Sequence, residues 1–104
     1  MRTPADLKKE IESRLRSYLS RDKTGIRHEI LNLFVKIKSL TIHDVHEKIR
    51  RQYEATYQSV ASMVGIIASK IGILRVIRTK DNGSTTYELK EQYKEMVVRL
   101  IGSC

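Results

Sequence analysis

The stretch that decides the fold runs from Thr41 to Leu89: TIHDVHEKIRRQYEATYQSVASMVGIIASKIGILRVIRTKDNGSTTYEL. Thr41, with Asp44 three residues on, has the form of a capping box, although aspartate is shorter than the usual glutamate. Val45, Ile49 and Tyr53 then recur along one side of a helix, with Lys48, Arg50 and Arg51 on its other sides. Glu54-Ala55-Thr56 reads as a turn, and Thr56 can cap the next helix through Ser59 or its neighbour. Val60, Val64, Ile67, Ala68 and Ile71 give that helix an inward stripe, whereas Tyr57, Gln58, Ser59, Ser62 and Ser69 fall mainly outside it. Gly72 suits the helix end, where a positive φ is cheap. Ile73 to Thr79 is rich in β-branched residues, Lys80-Asp81-Asn82-Gly83-Ser84 is a strong hairpin signal, and Thr85 to Leu89 returns as the second strand. The order is helix, short turn, helix, two-stranded hairpin.

Working outward, Thr3-Pro4 opens a first helix as cap and first-turn proline. Leu7, Ile11, Leu15, Tyr18 and Leu19 form its narrow apolar stripe. Arg21-Asp22-Lys23-Thr24-Gly25 breaks the pattern as a loop. Ile26, Ile30, Leu31, Leu33, Phe34, Val35 and Ile37 give a second helix a broad face, as a central core helix needs. Tyr93, Met96, Val97, Leu100 and Ile101 make the closing segment amphipathic. The expected fold is mainly α with a small β-hairpin (α+β). It is one domain over residues 1–104, with helices at about 4–20, 25–39, 42–53, 56–72 and 90–102 and the hairpin at about 73–89.

Twenty Lys and Arg against twelve Asp and Glu give a net charge of +8 and a pI near 9.8. That surplus favours a polyanionic partner without naming one. It is uneven: residues 1–40 hold ten basic and five acidic side chains, residues 41–104 ten and seven. Glu54 to Ser69 has no Lys or Arg at all. Cys104 is the only cysteine, which excludes an internal disulfide and a cysteine zinc cluster and fits a reducing cytoplasm. No apolar run is long enough to span a membrane, and the opening MRTPADLKKEIESRL lacks the apolar stretch of a signal peptide. The five glycines are scattered, so there is no phosphate loop, and no catalytic constellation or cofactor motif is legible. His43 and His46 share a helix three residues apart, with His28 and Cys104 elsewhere; capping or solvated histidines fit that spacing better than a metal site.

The middle of the chain resembles the winged helix-turn-helix superfamily. More narrowly, the run SVASMVGIIASKIGILR (Ser59 to Arg75), with IRHEILNLF before it and TTYELKEQYKEMV after it, resembles a small archaeal winged-helix family of unassigned function. Thr41 begins the supporting helix, Ser59-Val60 lies early in the recognition helix, and Gly72-Ile73-Leu74 makes the helix-to-wing transition. The resemblance implies a DNA-binding transcriptional regulator whose 56–72 helix enters the major groove while the hairpin touches the backbone. By position, Tyr57, Gln58, Ser59 and Ser62 would face base edges, and Arg75, Arg78 and Lys80 would serve the wing. Lys48, Arg50 and Arg51 join them as candidates for phosphate contact.

Two features depart from that pattern. Members of the superfamily commonly carry arginine in the recognition helix, and this one has serine, glutamine and tyrosine. Gly65 also lies inside the helix, which suggests close approach of another backbone. The solvated-face reading of these polar residues therefore stands beside the DNA reading. So does a second class of function, a winged-helix protein-interaction module, motivated by Met63 or Ile66 if exposed. The terminal helices either close the core of one chain or pair between subunits, and the expected partners are double-stranded DNA and a second copy of the chain, with no membrane.

Overall fold

The computed structural model describes residues 3–78 and 84–102. The expected turn residues Lys80 to Gly83, and Cys104, lie outside the described residues. Among the described residues, five α-helices and one antiparallel two-stranded sheet make up a mixed α+β fold: α1 (Pro4–Ser20), α2 (Ile26–Lys36), α3 (Ile42–Ile49), α4 (Tyr57–Ile66), β1 (Leu74–Arg78), β2 (Thr85–Leu89) and α5 (Lys94–Gly102). A π-helical turn, Ile67–Ile71, extends α4, and a 3-10 turn, Glu91–Tyr93, leads into α5.

The helix starts follow from their caps. Thr3 accepts the Asp6 N–H at 3.1 Å, and the Asp6 carboxylate takes the Thr3 N–H at 3.4 Å. Thr41 and Asp44 repeat this arrangement with both bonds at 3.0 Å, so the short aspartate does close the capping box. Thr56 caps α4 by accepting from the Ser59 N–H. At the far end, Gly72 takes φ 84°, and its N–H reaches five residues back to the Ile67 carbonyl. Arg14 and Lys90 donate to the carbonyls of Lys70 and Gly72, which the end of the helix would otherwise leave without partners.

Four helices differ from the sequence expectation, the expected 90–102 helix being α-helical only from Lys94, after the 3-10 turn Glu91–Tyr93. α2 ends at Lys36 rather than 39, because Ile37 turns extended and Leu40 exchanges two backbone hydrogen bonds with Tyr87 of β2 (3.0 and 2.8 Å). Pairing with the sheet overrides the helical pattern there. α3 ends at Ile49 rather than 53, where the Ile49 carbonyl takes the N–H groups of both Gln52 and Tyr53 and closes the last turn. The expected 56–72 helix is α-helical only to Ile66.

The core gathers side chains from every helix. Ile11, Leu15, Ile30, Leu31, Phe34, Val45, Ile49, Val60, Val64, Ile67, Ile73 and Val97 are all buried. The terminal helices belong to this same core: Leu15 and Leu19 of α1 and Met96, Val97 and Leu100 of α5 are buried, and Arg99 bonds Glu12 at 2.5 Å between the two helices. These residues pack within one chain, while Leu7 of α1 and Val98 of α5 stay exposed. Leu7 was expected inside the α1 stripe but is 41% exposed, because Thr3 to Lys9 extends past the core that begins at Ile11. Met63 and Ile66, whose exposure motivated the protein-interaction reading, are half-buried against the core.

Gly65 also departs from expectation. A Cβ added there would meet nothing within 4 Å, so no neighbouring backbone demands glycine. Gly65→Ala should therefore raise stability by up to ~1 kcal/mol, whereas Phe34→Ala should cost ~3–5 kcal/mol, both read from urea unfolding midpoints.

Candidate functional site

On α4, at about 100° per residue, Gln58 and Ser62 stand on the ridge opposite the buried Val60 and Val64. Ser59 turns toward α1 and the segment that follows it. Tyr57 turns toward α3, where the His46 ring meets it edge-on with centroids 5.8 Å apart. All four side chains are exposed, but they fan over two flanks and a ridge instead of forming one line.

The cations that share a groove with the serines come from the α1–α2 segment and the first turn of α2. Arg21, Lys23 and Arg27 line one open groove of ≈ 450 Å³ together with Ser59, Ser62, Met63 and Ile66. Neither Arg21 nor Lys23 has a side-chain ion pair or hydrogen bond among the described residues. Arg27 is held more firmly: it donates to the Tyr18 carbonyl at 2.8 Å, and its guanidinium lies 4.2 Å from the centre of the Tyr18 ring. The Tyr18 hydroxyl is buried without a hydrogen-bond partner among the described residues, and Tyr18 lines the same groove.

Asp22 anchors this segment. Its carboxylate, only 1% exposed, accepts the backbone N–H groups of Gly25 (3.2 Å) and His28 (3.1 Å) and lies 2.7 Å from His28 Nδ1. Burial pushes the carboxyl up, but the hydrogen bonds from His28, Arg27 and Gly25 outweigh it and hold the group below the ordinary aspartate value. These bonds fix the loop at the start of α2, where Gly25 adopts φ 92° and provides no side-chain cap of its own.

The other phosphate-contact candidates lie apart from the groove. Lys48 in the last turn of α3 and Arg50 and Arg51 just past its end are exposed, with Arg50 3.4 Å from Glu47. Strand alternation puts Arg75 and Arg78 on opposite faces of the ribbon, since they are three residues apart. Arg75 pairs in register with Glu88 and lines a second cleft with Lys36, Lys38 and Lys94. Lys80 lies outside the described residues. His28 is engaged with Asp22, His46 Nε2 donates to the Ala55 carbonyl at 3.1 Å, and His43 is exposed. Among the described residues, no group of three or more His, Cys, Asp or Glu side chains could hold a metal ion, and no helix is long and apolar enough to cross a membrane.

Arg21, Lys23 and Arg27 were not singled out from the sequence. The available signal was the heavier charge surplus in residues 1–40, which marked a region without showing which part of the surface it would reach.

The fold and its surfaces define a small, strongly basic α+β protein with cationic grooves. The chain belongs to the family described as "Protein of unknown function (DUF2551)", whose model matches residues 15–97. It is similar to an uncharacterized protein of Archaeoglobus fulgidus, 38% identical over 93 residues, which covers 88% of this chain and 93% of that protein. No solved structure matches it.

The Asp22 geometry sets a pH dependence. With its folded pKa lowered, Asp22 stabilises the protein above its unfolded value near 3.8, and that contribution is lost as pH falls through the lower folded value. Asp22→Asn should be less stable by about 1–2 kcal/mol at neutral pH, with the difference from wild type shrinking as the pH is lowered toward about 3. Urea denaturation across that range measures it; a difference independent of pH would show that the carboxylate charge is not what holds the loop.

Proposed function

We propose that the chain is a double-stranded DNA-binding protein of winged helix-turn-helix type, acting in transcriptional regulation. The reading is supported by the element order. α2 leads through the Leu40 bridge to α3, a short turn and α4, and the ribbon follows as the wing. In this reading α4 enters the major groove, with Gln58 and Ser62 toward base edges and Tyr57 and Ser59 on its flanks.

The observation that carries it is the juxtaposition of the α4 serines with Arg21 and Lys23 in one open groove. α4 has no Lys or Arg of its own, so its affinity for a polyanion has to come from neighbours, and these two cations stand beside it without intramolecular partners among the described residues. The net charge of +8 supplies long-range attraction. Arg21 and Lys23 then neutralise phosphates and release counterions, which positions α4 without reading sequence. Glutamine can pair with adenine and serine bonds to most bases, so discrimination by this helix is modest. A second copy of the chain, paired through the terminal helices, would present a second such groove to the neighbouring half-site. The rival reading, a protein-interaction module, has less to stand on with Met63 and Ile66 packed against the core.

Arg21→Ala combined with Lys23→Ala should weaken duplex binding about tenfold across unrelated sequences and lower the slope of log K against log salt by roughly 2. Arg75→Ala, facing the other cleft, should stay within about twofold of wild type. Fluorescence anisotropy at several salt concentrations tests both. An unaltered slope in the double variant would remove the groove from the mechanism, and no salt-sensitive binding by the wild type would favour the protein-interaction module.

A further inference from the structure

A second concave surface lies where the C-terminal end of α2, the base of the ribbon and the start of α5 meet. This cleft measures ≈ 450 Å³ and shares no lining residue with the groove beside α4. Lys36, Lys38, Arg75, Lys90 and Lys94 line it, against two carboxylates, Glu88 and Glu91. Glu88 already accepts from the Ser39 hydroxyl at 2.6 Å and stands opposite Arg75 in the ladder. The lining therefore carries a surplus of three positive charges. Among the described residues, the side chains of Lys36, Lys38, Arg75 and Lys94 have no ion pair or hydrogen bond, while Lys90 Nζ is fixed on the Gly72 carbonyl at 3.1 Å.

Helix stability accounts for only part of this cluster. Lys36, in the last turn of α2, complements the negative end of its helix. Lys90 and Lys94 are placed the other way, ahead of the 3-10 turn and at the first residue of α5, where the helix dipole disfavours a cation. Four cations from the end of α2 and the segment after it, β1 and α5 also repel one another, and a concave wall focuses their field. Phe34, Val35 and Leu89 give the cleft an apolar floor, and its volume lies within the range of small-ligand sites.

We propose that this cleft binds a small polyphosphate-bearing ligand. Its phosphates would lie among Lys36, Lys38, Arg75 and Lys94, which line one concave cleft of ≈ 450 Å³, a shape suited to a compact multivalent anion more than to the extended backbone of a duplex. Because the walls belong to α2, β1, β2 and α5, an anion held there clamps the base of the ribbon to the helices. Under the DNA-binding reading, on which this consequence alone rests, occupancy fixes the orientation of the wing and makes the ligand an effector.

Inorganic tripolyphosphate is the probe, titrated calorimetrically into the full chain at fixed ionic strength. Saturable binding at one site is expected, weakened about tenfold or more in Lys36→Ala with Lys94→Ala, the scale of losing two charge-assisted contacts. Both side chains are exposed, so the variant should fold, and its unfolding midpoint checks this. Arg21→Ala with Lys23→Ala should bind tripolyphosphate within about twofold of wild type. Absence of saturable binding, or equal losses in the two double variants, would overturn the proposal, because the anion would then be sensing only the overall charge. Loss of duplex affinity in the Lys36 and Lys94 variant without tripolyphosphate present would overturn it as well, by making the cleft a DNA-backbone contact. A chain that binds tripolyphosphate but no duplex would sink the DNA reading and leave the cleft assignment standing.

Discussion

Two backbone hydrogen bonds between Leu40 and Tyr87 hold the ribbon to the helical layer, and the layout of the surface depends on them. A two-stranded hairpin alone is marginal in water. Here it gains a third extended segment on the β2 edge, and it is anchored below by the buried Ile73 and Leu74. The Lys90 N–H bonds the Ile73 carbonyl at 2.9 Å, closing the base of the ribbon where the chain leaves β2. Once the ribbon is held this way, strand alternation decides which arginine faces which side: Arg75 goes to the cleft bounded by α2 and α5, and Arg78 to the opposite face.

Charge is organised around that frame in separate places. The groove beside α4 draws its cations from the α1–α2 segment, and the cleft at the ribbon base draws its own from α2, β1 and the approach to α5. A near-buried carboxylate stabilises the first. Asp22 gathers the N–H groups at the start of α2 and the His28 ring, so the loop bearing Arg21 and Lys23 is held at a defined height beside the α4 serines. Exposed ion pairs such as Arg14–Glu10 and Arg16–Glu12 along α1 contribute little by comparison, being solvated and screened. In a chain whose α4 carries no cation, this division makes the N-terminal helix and its loop part of the proposed interface rather than an appendage.

Local chemistry was legible in the sequence wherever one residue type has one physical use. Thr3, Thr41 and Thr56 cap helices, Gly72 takes the left-handed turn, and the stripes through Ile11, Phe34, Val45, Val60 and Val97 are buried. Each depends on neighbours within about one turn, so spacing alone is enough. The early end of α2 was not legible, because the competing bond partner of Leu40 lies in β2, far along the chain. Gly65 misled for a related reason: a glycine inside a helix commonly marks close packing, and here its outer side is open.

The sequence by itself determined a basic, mixed α+β chain, its threonine-capped helix starts, its ribbon and most of its core, since these follow from side-chain periodicity and capping within short windows. Only the tertiary structure decided that Arg21, Lys23 and Arg27 stand beside Ser59 and Ser62, that Arg75 and Arg78 face opposite ways, and that lysines from α2 and α5 meet at one cleft. The physical reason is that charge acts through space. Which cations share a surface is set by how buried faces pack together, and the pattern along the chain carries no record of that distance.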